Sequence, residues 1–268
     1  MKQPLPEVLD ALKSGIALSR DWYKFDLHKL DLQNVNLSHA QLIGANLSDT
    51  NCSRASLQNA DLRGANLSDA NLDGANLESA CLYRADLRGL NLHGANLTDA
   101  KLQRALFDDR TIWPEGFAYK SVGAIGPGAN LNGADLNTAN LRYVDLRGAN
   151  LLGAYLGGAD LTGANLQGVR LSSADLRRAY LTGASLRKAR LNGVNLAGAD
   201  LRAADLTDVE FDRFESIAGA DFSHVQGLTA AQRSQLLGHS SQELDTWNSF
   251  TRRTTRASLE NARAVNLP

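Results

Sequence analysis

The chain has 268 residues, with 28 Lys and Arg against 29 Asp and Glu and a formal net charge of −1. So even a balance argues against a surface built to follow phosphate backbones, and hence against direct nucleic-acid binding. No run of eighteen apolar residues occurs and Lys2, Glu7, Asp10, Lys13 and Arg20 interrupt the start, which argues against a membrane span or signal peptide and sets a cytoplasmic location as the expectation.

Residues 1–24 are expected to form a helical N-terminal cap. Pro6 suits a first helical turn, and Leu5, Val8, Leu9, Leu12 and Ile16 mark one face over residues 5–18. Trp22, Tyr23 and Phe25 would complete the seal.

From residue 25 to 107 a five-residue period takes over. Leucine recurs in steps of five from Leu32 to Leu102, with Cys52 the one exception, and a small residue such as Ala40, Ala65, Ala75 or Ala95 stands two positions before each centre. No helix can use this period, because five residues advance about 500° and scatter the leucines around the axis. A continuous strand fails too, since a five-residue step puts alternate leucines on opposite faces. The chain must therefore turn within each unit. Gly44, Gly64, Gly74 and Gly94 lie two residues after a centre, where a bend is cheapest for glycine. Other units carry Asp, Asn, Ser or Arg there, which predicts that the turn type alternates.

Residues 108–128 break the register, because Leu102 and Leu131 are 29 apart and the chain re-enters out of phase. Phe107, Ile112, Trp113, Phe117 and Tyr119 make this an aromatic loop rather than a plain linker. It reads either as a functional loop or as a bulge that shields its own apolar residues.

The period resumes over 129–222, where every centre from Leu131 to Leu206 is leucine. Residues twenty apart would be neighbours if four units made one coil, placing Arg170 beside Arg190 in a column with Asn150 and Glu210. Arg187 and Lys188 would lie on the adjoining side. Tyr143, Tyr155 and Tyr180 stand at outward positions.

Residues 223–268 are expected to hold a helix and a polar tail. Thr229 and Gln232 have the spacing of a capping box, so a helix should begin there and run to about Leu237. Beyond Gly238 the chain is rich in arginine and reads as a solvated tail, with Trp247 and Phe250 as exceptions; the sharper reading is a short binding segment. Cys52 points inward and Cys81 outward, so they are expected as two free thiols, with Leu30 filling the volume that Cys52 leaves.

The Ala-(Asp/Asn)-Leu-x-x units of 25–107 and 129–213 resemble the pentapeptide-repeat family. That resemblance implies an all-β fold, a right-handed quadrilateral parallel β-helix with four units per coil, a Leu and Ala core and no room for a ligand. The run Trp113-Pro114-Glu115-Gly116-Phe117, the segment Gly126 to Leu131 and the stretch Ala220 to Gln232 resemble cyanobacterial members and point to a cyanobacterial source.

No catalytic or metal-binding motif occurs, and His28, His39, His93, His224 and His239 are dispersed. The expectation is a protein that is not an enzyme and carries no cofactor and no metal, acting as a protein-interaction or structural module; the sequence sets no oligomeric state. Candidate partner contacts are Trp113, Phe117, Tyr119, Tyr143, Tyr155, Tyr180, Arg170, Arg187, Lys188 and Arg190. The resemblance also raises a DNA-mimic alternative, since some members protect DNA gyrase by imitating duplex DNA. Ten basic against nine acidic residues over 129–213 weigh against it.

Overall fold

The hydrogen bonds of a single repeat, Ala60 to Gly64, explain why the sequence takes the form it does. The structure is a computed structural model and describes residues 21–260. Ala60 N–H closes a turn on Leu57 O, Asp61 N–H donates to Ala40 O of the preceding coil, and Leu62 and Gly64 donate to Cys81 O and Tyr83 O of the next. The remaining donor, Arg63 N–H, finds the Asp61 side-chain oxygen at 3.2 Å. All five backbone donors are thus satisfied. An Asp or Asn before the central leucine recurs because its short side-chain acceptor reaches the N–H two residues on; units with Cys81, Tyr155 or Arg170 there keep the same bridges without it.

Repeated around four sides, this unit gives single-residue parallel bridges twenty residues apart, from Asp21↔Gln41 through Cys81↔Lys101 and from Asn130↔Asn150 through Arg190↔Glu210. The chain divides into two compact units, one ending at Gly126 and one beginning at Pro127. In each, the central leucines and the small residues two positions earlier are buried, as in Leu62, Ala60, Leu166 and Ala164.

The turns do not alternate as the sequence suggests. The residue two after each centre has positive φ whether it is Gly44 at 64°, Asp49 at 54°, Tyr143 at 56° or Arg178 at 58°. With the i to i+3 bond, as from Ala45 N–H to Leu42 O at 3.0 Å, this is a type II turn throughout. A left-handed conformation costs an ordinary residue roughly 1–2 kcal/mol. That cost is offset because the same residue donates its N–H to the next coil, and any other turn would break the ladder.

At the start of the described chain Trp22 is buried and meets Phe25 edge-on at 5.3 Å. Tyr23, expected to join that seal, is exposed, with the Lys24 ammonium 5.0 Å from its ring centroid. The helix expected over 5–18 lies outside the described residues. Cys52 is fully buried in the column of Leu32 and Leu72. Leu30 is half-buried in the column of Thr50, so by register it is not the residue stacked on Cys52.

The last coil of the first unit shifts register by one residue in each direction: Asn91 pairs with Ile112 and Leu106 with Ile125. Phe107 is buried at an inward position, and Gly126 is glycine because a Cβ there would lie 2.7 Å from the Phe107 ring. A short 3₁₀ turn lies between Ile112 and Ile125, at Tyr119–Ser121.

In the second unit the register slips by one at Asn195↔Ser216 and keeps the slip through Asp200↔Asp221 and Asp205↔Gln226, after which the chain leaves the coil. Helix α1, Ala230–Leu237, begins on the expected capping box, with Thr229 and Gln232 each bonded to the other's backbone. Residues 239–260 are not a solvated tail. They form α2 (Ser241–Leu244), the antiparallel pair β1 (Trp247–Asn248) and β2 (Arg253–Thr254), and α3 (Thr255–Glu260). This segment is bonded to the final coil: Thr255 Oγ1 donates to Ile217 O at 2.9 Å, Phe222 N–H to Ser258 Oγ at 3.0 Å, and Ser216 Oγ to Glu243 at 2.7 Å. Leu244 and Leu259 are buried beneath it.

Candidate interaction surface

Every outward side chain stands in a column set by the coil, so the surface is a grid with fixed spacing. Two devices neutralise much of it. Asparagines stack as ladders, with Asn66 Nδ2 donating to Asn46 Oδ1 at 3.2 Å and Asn91 Nδ2 to Asn71 Oδ1 at 3.0 Å. Where the sequence reads Asp-Leu-Arg, the guanidinium folds back onto the carboxylate of its own turn, as in Arg63–Asp61, Arg88–Asp86, Arg147–Asp145, Arg177–Asp175 and Arg202–Asp200. The Arg63 and Arg177 side-chain hydrogen bonds hold Asp61 and Asp175 below the usual carboxylate range. Apart from Arg202–Asp200, whose carboxylate is buried, these pairs are largely exposed and contribute little stability, but all cancel charge locally.

The expected basic column exists, since Asn150, Arg170, Arg190 and Glu210 are successive bridge partners. Glu210 takes Arg190 at 3.2 Å and Asp205 takes Arg187 at 3.1 Å. Arg170 and Lys188 are exposed and have no ion-pair partner among the described residues.

The tyrosines diverge. Tyr143 and Tyr155 are 70% and 53% exposed. Tyr143 turns one ring edge toward Gly163, where a Cβ would come within 2.5 Å of Cδ1 and Cε1, and the Arg142 guanidinium sits 5.6 Å from its centroid. Tyr180 is half-buried because Phe250 packs on it edge-on at 5.2 Å. Phe250 and Trp247 are 60% and 61% exposed, so the polar segment contributes the apolar surface that the repeat positions alone do not show.

Trp113, Phe117 and Tyr119 come together as a single stack. Trp113 lies 5.1 Å from Tyr119 and 5.7 Å from Phe117, and both Trp113 and Tyr119 meet buried Phe107 edge-on at 5.6 Å. By register, Trp113 follows the bridge residue Ile112 and so stands in the column of Leu92.

A catalytic arrangement that the sequence conceals fails on geometry. His28 Nδ1 lies 2.9 Å from Ser48 Oγ and 3.6 Å from Asp49. Both contacts use the same ring nitrogen, so no relay through the imidazole is possible. Among the described residues no group of three or more His, Cys, Asp or Glu is placed to hold a metal, and no helix is long and apolar enough to cross a membrane.

The family model for pentapeptide repeats matches in eight copies over residues 21–49, 50–89, 127–156, 139–178 and 174–213. No curated protein matches the chain. Among solved structures, the chain is similar to HetL of Nostoc sp. strain PCC 7120, a pentapeptide repeat protein involved in heterocyst differentiation regulation, at 30% identity over 85% of this chain and 99% of that one, with a TM-score of 0.37. It is 35% identical to alr5209 from Nostoc PCC 7120 over 46% of this chain and 95% of that one, with a TM-score of 0.32. QnrB1, a plasmid-mediated fluoroquinolone resistance protein, is 20% identical over 78% and 95%, with a TM-score of 0.35. The family assignment rests on the repeat match, which spans more than half of the chain, and not on these overlays.

Proposed function

The chain belongs to the pentapeptide-repeat family, whose fold is a right-handed β-helix, and we propose that it is a non-enzymatic scaffold that binds a partner protein through the outward grid of its second unit. The observation that carries this reading is the exposure of Tyr143 and Tyr155 on a backbone whose turns are bonded from coil to coil. Exposed aromatics with few rotamers on a rigid support lose little entropy on binding and are over-represented among interface anchors. Arg170 and Lys188, with no ion-pair partner among the described residues, add positive charge to the same unit. Arg187 and Arg190 are weaker candidates, because each already has a carboxylate.

Trp113, Phe117 and Tyr119 have a structural role in this account. They cover the last inward positions of the first unit, as the segment from 230 to 260 covers those of the second. Terminal coils need such covers, because an open end exposes unpaired backbone and core leucines. Imitation of duplex DNA is disfavoured by the Arg–Asp forks, which return a guanidinium to many of the carboxylates an acidic surface would require.

Affinity capture from cells of the source organism tests the reading. Tyr143→Ser with Tyr155→Ser, and separately Arg170→Glu, should each lose a protein that the unaltered chain retains, with unfolding midpoints unchanged. Identical capture by all three would remove it.

A further inference from the structure

The β1–β2 hairpin runs down the wall of the second unit rather than projecting from its end. Asn248 Nδ2 donates to Gly219 O of the final coil at 2.7 Å and to Gly198 O one coil further in at 3.3 Å. Its Oδ1 accepts from Phe250 and Thr251 N–H at 2.9 and 3.0 Å, which fixes the hairpin turn. Phe250 at that turn reaches Tyr180, two coils in from the end. The hairpin is thereby held at three levels, yet it leaves Trp247 and Phe250 more than half exposed. Two aromatic side chains on a hairpin anchored this firmly and still facing water are prepared for a contact.

The charges around it are unequal. Arg178 lays its stem against Gly198, beside Asn248, where a glycine Cβ would lie 3.3 Å from Arg178 Cγ. Arg252 is exposed in the hairpin turn, and Arg253 reaches only the Ser223 hydroxyl, at 3.4 Å. None of these three has an ion-pair partner among the described residues. The carboxylates of the same wall are engaged or enclosed: Asp200 is held by Arg202 and by Thr182, Asp160 by Arg142, and Asp245 by Arg256. Asp221 is buried and accepts from Ser223 N–H. What remains toward solvent is positive charge flanking two aromatic rings, with the Arg202 guanidinium 5.9 Å from the Phe250 centroid.

We propose that this hairpin surface docks an acidic protein segment carrying an apolar anchor, the anchor lying against Trp247 and Phe250 and its carboxylates meeting Arg178, Arg252 and Arg253. The proposal rests on the interaction-scaffold reading and adds the site and the partner chemistry. A polyanion such as single-stranded nucleic acid fits less well. The basic patch is confined to a few guanidiniums, too few to follow a phosphate backbone over the several nucleotides such a site spans. A short acidic segment stays within the patch.

Short peptides selected by display on the intact protein test this, with affinities read by fluorescence anisotropy and oligothymidine as the nucleic-acid probe. The selected peptides should be rich in Asp and Glu with an aromatic or aliphatic residue, and they should weaken as salt rises. Arg178→Asn with Arg252→Asn should weaken them about tenfold or more, a loss of roughly 1.4 kcal/mol. Both positions have positive φ, at 58° and 59°, which asparagine accepts well, so the fold is retained. Trp247→Thr with Phe250→Ser should have a comparable effect. Peptides without acidic enrichment, peptides indifferent to both double variants, or oligothymidine binding in their place would overturn the proposal. If selected peptides respond only to Tyr143→Ser with Tyr155→Ser, the hairpin site falls while the scaffold reading stands.

Discussion

The ring of Phe250 meets the ring of Tyr180 edge-on, with centroids 5.2 Å apart and planes at 75°, across seventy residues of sequence. This contact ties the C-terminal hairpin to a coil well inside the second unit. Aromatic pairs of this geometry contribute about 0.5–1.5 kcal/mol beyond their buried area. A double-mutant cycle of Tyr180→Ala and Phe250→Ala in urea unfolding should return a coupling in that range. A coupling near zero would mean that the hairpin does not rest on the wall.

Gly163 should tolerate alanine worse than Gly168 does. Their φ values are 65° and 67°, so the conformational cost is shared, but a Cβ at 163 collides with the Tyr143 ring while one at 168 meets nothing within 4 Å. Gly163→Ala should therefore lower stability by roughly 1 kcal/mol more than Gly168→Ala, given the usual cost of overpacking. The difference should vanish in a Tyr143→Ser background, as measured by unfolding midpoints.

Leu166→Lys places an ammonium at a fully buried position with no acceptor provided for it. The expected loss is several kcal/mol, enough to melt the adjoining coils. Circular dichroism and limited proteolysis should show local unfolding around residues 146–186; a mutant with wild-type resistance would contradict the register.

The two thiols should differ sharply. Burial, with a smaller contribution from Asp31, pushes the Cys52 thiol up to about 12, whereas Cys81 is half-exposed on an outward position. Native protein should offer one thiol to an alkylating reagent at neutral pH and denatured protein two. Mass spectrometry assigns the site, and early modification of Cys52 would show that its coil opens.

Glu243 gives the attachment of α2 a dependence on pH. Burial alone would raise its carboxyl, but hydrogen bonds from His239, Ser216 and Ile217 N–H, with the charge of His239, outweigh it and hold the group below its ordinary 4.5. An acid depressed in the folded state adds stability above its unfolded value and loses it as pH falls through the folded value. Stability should therefore drop as pH falls below the ordinary 4.5 more steeply in the wild type than in Glu243→Gln. Equal slopes in urea titrations would remove Glu243 as a contributor.

The repeat is legible because one constraint recurs along the chain: each unit must turn and bond to the coils on either side, and Ala-Asp-Leu with its turn does so. Leu62 and Ala60 follow from spacing, and Thr229 with Gln232 announces α1 through a local bond. The uniform turns at Asp49 or Tyr143 were not legible, because their left-handed conformation is imposed by the neighbouring coil against local preference. The folding of 239–260 was hidden for a similar reason. Its buried leucines are few, and its main anchors, Asn248, Thr255 and Ser258, are polar residues that bond to the final coils. Spacing places Tyr180 outward, but its cover by Phe250 depends on those anchors.

Site-specific photocrosslinking in cells of the source organism tests the central claim most directly, with a photoreactive phenylalanine at Tyr143, Tyr155 or, as a control on the first unit, the exposed Tyr23. The scaffold account predicts the same protein adduct from positions 143 and 155 and none from 23. Absence of an adduct at both, or equal labelling from all three, would contradict it.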